Sequence, residues 1–208
     1  MAVVLFNPNS STLITEAMAD HVRRVLGGDG WYAVTNSGAP EVLSSVADFE
    51  LAERSMLTSL SSRPFQAIVV GAFADPGLDV LKSTGAPVIG LGSTTLFAAA
   101  SYRSFGVVTP GKVHADVIWR LVEGLGLSAQ CAAIEPMGLD FIEMMREPAG
   151  AAHEFERAVE AVAAAGAQVV CPGASGLAAL VEHLRPSSRL PLVDGLALSI
   201  RLALDLPG

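Results

Sequence analysis

Gln66-Ala67-Ile68-Val69-Val70-Gly71-Ala72 reads again, 102 positions later, as Gln168-Val169-Val170-Cys171-Pro172-Gly173-Ala174, in a chain of 208 residues. Each copy is a short apolar strand followed by a loop that opens on glycine. The flanks repeat as well. Leu5-Phe6-Asn7-Pro8 lines up with Val108-Thr109-Pro110 at the same offset through its proline, and Ala86-Pro87-Val88-Ile89 with Leu190-Pro191-Leu192-Val193 two positions later. The chain therefore reads as two related α/β halves. Duplication of such a unit puts equivalent loops on opposite sides of one cleft, which suits chemistry that needs two groups facing each other across a small substrate. At the matched loop positions, where catalytic groups would be sought, stand Ala72 and Ala174.

Outward from these two stretches, strands and helices alternate. The first half reads as strand Ala2 to Phe6, helix Thr12 to Leu26, strand Trp31 to Val34 and helix Ser44 to Ser61. Strands Ala67 to Val70 and Val88 to Leu91 then enclose a short helix beginning near Pro76, and a further helix covers Thr94 to Tyr102. The second half continues with strand Phe105 to Thr109, helix Val113 to Leu125, strand Gln130 to Ile134, and helices within Gly138–Met145 and Ala151–Ala165. It closes with strand Gln168 to Cys171, helix Leu177–Leu184, strand Leu190 to Val193 and a helix ending at Leu204. This alternation calls for parallel sheets with right-handed crossovers. The expected division is residues 1–95 with 192–208 as one half and 96–191 as the other, the last helix packing back onto the first half.

Composition bounds the function classes. A chain of this length can bury roughly 70% of its unfolded surface. Hydrophobic residues make up 51% and charged residues 16%, unlike a disordered chain, while no apolar run approaches the roughly 18 residues of a membrane span. No membrane partner is expected. The start runs from Met1 through Phe6 into Asn-Pro-Asn without a basic region or cleavage site, so the expected compartment is the cytoplasm. A formal charge of −8 argues against nucleic acid, which needs a basic stripe. The two cysteines, Cys131 and Cys171, lie in apolar strand-like stretches and suggest neither a disulfide framework nor a zinc site. Four scattered histidines lack metal-ligand spacing, and no metal is expected.

In sheets of this kind ligands sit outside the carboxyl ends of the strands. The loop Asn7-Pro8-Asn9-Ser10-Ser11 follows a strand and opens a helix. Ser10 or Ser11 serves as a cap there, and Asn7 and Asn9 either fix the turn or present amide groups to a ligand. In Gly71-Ala72-Phe73-Ala74-Asp75-Pro76-Gly77-Leu78, Asp75 precedes a proline suited to a first helical position, which reads as an N-cap. Its functional alternative is a carboxylate reaching the cleft, raised in pKa by burial and usable as acid or base. Phe73 fills core or stacks on ligand. In Pro172-Gly173-Ala174-Ser175-Gly176-Leu177, Ser175 is a cap or, less simply, a nucleophile without an assignable histidine. The two glycines let backbone approach a ligand and offer amides to an oxyanion.

Taken in order, Asn7-Pro8-Asn9-Ser10, Gly71-x-Phe73-x-Asp75-Pro76-Gly77-Leu78, Pro87-Val88-Ile89-Gly90, Phe105 through Thr109, Gly173-x-x-Gly176 and Pro191-Leu192-Val193-Asp194-Gly195 resemble the hydantoin and allantoin racemase branch of the aspartate/glutamate racemase superfamily. The resemblance runs over nearly the whole chain. It implies two pseudo-symmetric, flavodoxin-like α/β halves with the active site between them, and no cofactor. It further implies proton transfer by two cysteines, one from each half, which remove and return a proton on opposite faces of a stereogenic carbon. The matching positions here are Ala72 and Ala174, and alanine can perform neither step. The acidic residue often found after Pro-Val-Ile-Gly is also missing, replaced by Leu91-Gly92-Ser93-Thr94.

The two alanines admit three readings: replacements engineered to trap substrate in an inert racemase, a natural shift to thiol-free decarboxylation, ring opening or isomerisation through Asp75, Ser93, Thr109 or Ser175, or a non-catalytic binder. The expected ligand is a small hydantoin-like cyclic amide or amino-acid-like carboxylate. Asn9, Ser10, Phe73, Ser93, Thr109 and Gly173 are the expected contacts, and the assembly is expected to be a homo-oligomer.

Overall fold

Strands and helices alternate in the computed structural model, which describes residues 1–43, 45–60, 63–139 and 141–207. In chain order the elements are β1 (Ala2–Asn7), α1 (Thr12–Leu26), β2 (Trp31–Thr35), α2 (Val46–Ser59), β3 (Phe65–Val70), α3 (Leu78–Lys82), β4 (Val88–Gly90) and α4 (Leu91–Ala99). They continue with β5 (Phe105–Thr109), α5 (Lys112–Gly124), β6 (Cys131–Pro136), α6 (Phe141–Arg146), α7 (Pro148–Ala164), β7 (Val169–Pro172), α8 (Ser175–Ala179), α9 (Val181–Leu184) and α10 (Gly195–Leu204). The chain divides into two compact units, Met1–Thr94 with Leu196–Gly208, and Thr95–Gly195. No helix among the described residues is long and apolar enough to cross a membrane.

In the first unit the sheet order is β2-β1-β3-β4, all parallel. Both faces of β1 and β3 are closed to water: Val3 to Phe6 and Ala67 to Val70 are each 0% exposed. That double burial is why these strands read as unbroken apolar runs instead of alternating with polar residues. On one face Val4, Phe6, Ile68 and Val70 pack with Ala52 and Met56 of α2 and Leu81 of α3. Each large side chain so buried contributes about 1.5–3 kcal/mol.

The second unit carries the order β6-β5-β7, also parallel. Helix α7 buries Phe155, Ala158, Val159 and Val162, the spacing of one helical face. It lies so close to β5 that a Cβ on Gly106 would sit 2.5 Å from Val162 Cβ.

The repeat holds at the level of individual bonds. Phe6 pairs with Val70 in one sheet and Val108 with Pro172 in the other. The Gly71 amide donates to Phe6 O at 2.8 Å, and the Gly173 amide to Val108 O at 2.7 Å. Ile68 N donates to Pro87 O, and Val170 N to Pro191 O, both at 2.9 Å.

Several sequence expectations need correction. Leu190 to Val193 is not a strand; it makes one isolated bridge, Val170 with Leu192. The reason lies across the sheet. In the first unit β3 continues its ladder to Val70 opposite Gly90, but the equivalent of Val70 is Pro172, which has no N–H to extend the pairing. Helix α4 starts at Leu91, directly after β4, earlier than Thr94, because Asp75 satisfies its first amides. Helix α3 starts at Leu78 behind a left-handed Gly77 (φ 67°), leaving Pro76 in the preceding turn. The single helix Leu177–Leu184 is two, α8 and α9, broken at Leu180. Helix α7 begins at Pro148, three residues before Ala151, with a proline in its first turn. The expected ends of α2 at Ser44 and Ser61 lie outside the described residues.

Candidate functional site

A parallel sheet ordered 2-1-3-4 has its switch point between strands 1 and 3, where successive connections leave in opposite directions and a crevice opens at the carboxyl ends. In the first unit that point falls between β1 and β3, and so between Asn7–Ser11 and Gly71–Gly77. In the second unit the corresponding strands are β5 and β7, followed by Pro110-Gly111 and by Gly173-Ala174.

The loop after β1 is held by its own amides. Asn7 is fully buried; its Nδ2 lies 2.9 Å from Asn9 Oδ1, 3.0 Å from Ser11 O and 2.9 Å from Thr15 Oγ1. Its Oδ1 accepts from Asn9 N at 3.2 Å, while Asn9 Oδ1 accepts from Ser11 N at 3.0 Å. These are turn-forming bonds. Ser11 caps α1, its Oγ accepting from Ile14 N, and Ser10 is the half-buried residue at the bend.

After β3 the chain makes a tight turn in which Asp75 N donates to Ala72 O at 3.0 Å. Ala72 is half-buried and Phe73 is buried at 3% exposure. Asp75 takes the left-handed conformation (φ 51°), tolerated by aspartate better than by most residues. It does not cap its own helix. Its two carboxylate oxygens accept the amides of Gly92 and Ser93, each at 2.7 Å, so it caps α4, 17 and 18 residues further on. A Cβ at position 90 would lie 2.3 Å from the carboxylate carbon and would displace Asp75 from these bonds. Burial pushes the Asp75 carboxyl up to about 6, against the opposing pull of the bonds from Ser93 and Gly92. Ser93 itself donates to Gly90 O at 3.4 Å.

In the second unit Thr109, fully buried, donates from Oγ1 to Gly173 O at 3.1 Å, tying the end of β5 to the loop after β7. Gly173 admits no side chain: a Cβ would meet Val107 Cγ1 at 2.6 Å and Val108 O at 3.0 Å. Ala174 follows in extended conformation (φ −157°, ψ 153°) as the N-cap of α8. Ser175 is therefore the first helical residue, and no side-chain bond caps that helix. The counterpart of Asp75 is Leu177, fully buried, so this loop passes straight into a helix where the first unit makes a turn. His114, which the sequence offers only as one of four scattered histidines, is the third residue of α5 at the carboxyl end of β5. It is half-buried, and burial lowers its pKa, which keeps the ring neutral at pH 7.

Neither thiol belongs to these loops. Cys171 lies inside β7 at 0% exposure, with its pKa driven far above the ordinary thiol range by burial. Cys131 opens β6 on the far side of β5, its thiol pushed up to about 11 by the same cause.

A family model described as Asp/Glu/hydantoin racemase matches residues 3–203. The chain belongs to that family. Within it, the hydantoin racemase of Paenarthrobacter aurescens is 27% identical over 214 positions, covering 98% of this chain and 89% of the relative. The allantoin racemase of Pseudomonas fluorescens superposes with a TM-score of 0.88 at 24% identity, over 98% of this chain and 89% of that one. A glycine-to-cysteine variant of arylmalonate decarboxylase shares the fold at a TM-score of 0.66 and 16% identity, over 100% and 97% of the two chains. The racemase family thus carries the duplicated α/β architecture described above.

Proposed function

We propose that this protein is a cofactor-independent racemase-type protein for a small hydantoin-like cyclic amide or amino-acid-like carboxylate, and that Ala72 and Ala174 stand where the reaction needs its two thiols. The observation that carries the reading is positional: each alanine is the second residue past the end of its strand, at the carboxyl edge of the sheet, with a close-packed glycine before it. In this reading the ligand-contact residues are Asn9, Ser10, Phe73 and Ser93 in the loops of the first unit, and Thr109, Gly173 and Ser175 in those of the second. The two cysteines that the chain does possess are the wrong groups, buried in strands with thiols too weakly acidic to exchange protons near neutral pH.

A carboxylate raised to about 6 supports a second reading, thiol-free chemistry with Asp75 as acid or base. Two amides already occupy its oxygens, which favours a supporting role in holding α4 against the β3 loop. The experiment is proton NMR in D₂O of the chain incubated with single-enantiomer 5-substituted hydantoins, allantoin and amino acids. Binding without loss of the α-proton signal is expected. Exchange or a new product would instead establish thiol-free chemistry.

A further inference from the structure

Equivalent carbonyls in the two units are held by different chemistry. Asn7 O accepts from Asn36 N at 3.0 Å, and its counterpart Thr109 O from Met137 N at 2.8 Å. One residue on, Pro8 O accepts from the side chain of Asn36, Nδ2 at 3.1 Å, while Pro110 O accepts from the backbone of Gly138 at 2.8 Å. Gly138 reaches that position with a left-handed backbone (φ 83°). An amide side chain and a left-handed glycine thus do the same work at the same point of the repeat.

Asn36 is committed to this contact. It is 0% exposed, its second Nδ2 proton goes to Ala52 O at 2.9 Å on α2, and its Oδ1 accepts from Ser59 Oγ at 2.7 Å. Two carbonyls facing one nitrogen fix the amide orientation. The same segment also takes the Ser10 amide, which donates to Pro40 O at 3.0 Å. The loop bearing Asn9 and Ser10 therefore rests on residues 36–40, and through Asn36 on α2.

We propose that Asn36 and Gly138 are positioning residues, which by closing on the carbonyls of Pro8 and Pro110 set the shape of the loops after β1 and β5, each a ligand-contact loop of its own unit. The ligand part rests on the function proposed above; the loop part does not. Gly138 offers the cleaner test because a Cβ there meets nothing within 4 Å, so alanine strains only the backbone. Gly126 (φ 72°) is its matched control, with the same open space at the opposite end of α5.

Dissociation constants for single-enantiomer 5-benzylhydantoin and for allantoin are measured by calorimetry on the full chain and its variants, alongside Tm. Gly138→Ala and Gly126→Ala lose similar stability, yet Gly138→Ala weakens binding by about tenfold, Gly126→Ala leaves it unchanged, and Gly138→Asn recovers it, because asparagine tolerates left-handed backbone. Equal effects of the two alanines, or none, would overturn the assignment for Gly138.

Amide hydrogen exchange reads the loops without any ligand. Asn36→Ala speeds exchange at Asn9, Ser10 and Ser11 by about tenfold relative to Ile68 and Val69 in β3, although none of those three amides bonds to the Asn36 side chain. Gly138→Ala does the same at Gly111 relative to Val107. Uniform acceleration, or unchanged loops, would refute positioning. If the parent chain binds neither probe, the ligand reading fails, and the exchange measurements alone decide the loop part.

Discussion

Asp75 is subject to two opposed effects, one from burial and one from its hydrogen bonds. The residue is 8% exposed, and burial disfavours charge, yet both carboxylate oxygens accept amides at a helix start, which favours it. Burial wins and the group titrates near 6. The folded chain then keeps a proton on Asp75 between the ordinary carboxylate value of 3.8 and about 6, where the unfolded chain has lost it. With more protons bound in the folded state, this residue's contribution to stability falls as pH rises through that window, by about 3 kcal/mol, and is flat above it. Urea midpoints measured from pH 4 to 8 should show that slope in the parent and lose it in Asp75→Asn; an identical slope in the variant would assign it elsewhere. Asp75 was legible in the sequence as a cap, but local pattern reading links a cap to the helix that follows it. The real partners, Gly92 and Ser93, are too distant in sequence for any capping rule to find. Ser175 differs for a local reason: the helix starts one residue earlier than the serine pattern suggests, so the cap position belongs to Ala174.

At the scale of elements, β1, β3, β5 and β7 were legible because burial on both faces leaves apolar runs that little else produces. The failure at Leu190–Val193 has one cause, in the neighbouring strand. Its residues are as apolar as those of β4, but a strand exists only if its partner can bond to it, and Pro172 cannot donate where Val70 can. Replacing Pro172 by valine supplies the missing N–H opposite the Val193 carbonyl. In Pro172→Val the new amide at position 172 should exchange slowly, exchange at Val193, whose amide donates to Val170 O at 3.0 Å, should slow with it, and the bridge at Leu192 should extend into a short ladder. The net gain is capped at about 1 kcal/mol because the proline also restrained the unfolded chain. Fast exchange at position 172 with no change at Val193 would place the cause in the loop, not in the strand. Helix starts at α3, α4 and α7 were each misplaced by two or three residues, for reasons set by a left-handed glycine, a distant cap and a proline at a first turn.

For the whole molecule, duplication explains both what recurs and what differs. Register, the glycine amides of Gly71 and Gly173, and the proline carbonyls of Pro87 and Pro191 recur. Divergence is concentrated in the loops, where Asp75 in the first unit corresponds to Leu177 in the second, and Asn36 to Gly138. Such a pattern follows if the sheets are kept for folding while the surface loops are free to change. The fold and family could be read from the repeat and its ordered motifs; the loop bracing could not, because Asn36 looks like any turn asparagine before Ser37-Gly38. What most directly tests the account is to supply the two thiols together. The Ala72→Cys, Ala174→Cys double variant, incubated in D₂O with a single-enantiomer 5-substituted hydantoin, should exchange the α-proton and lose optical rotation while the parent chain does neither. A double variant that folds and binds the hydantoin, yet leaves its proton and its rotation untouched, would contradict the assignment of these two positions.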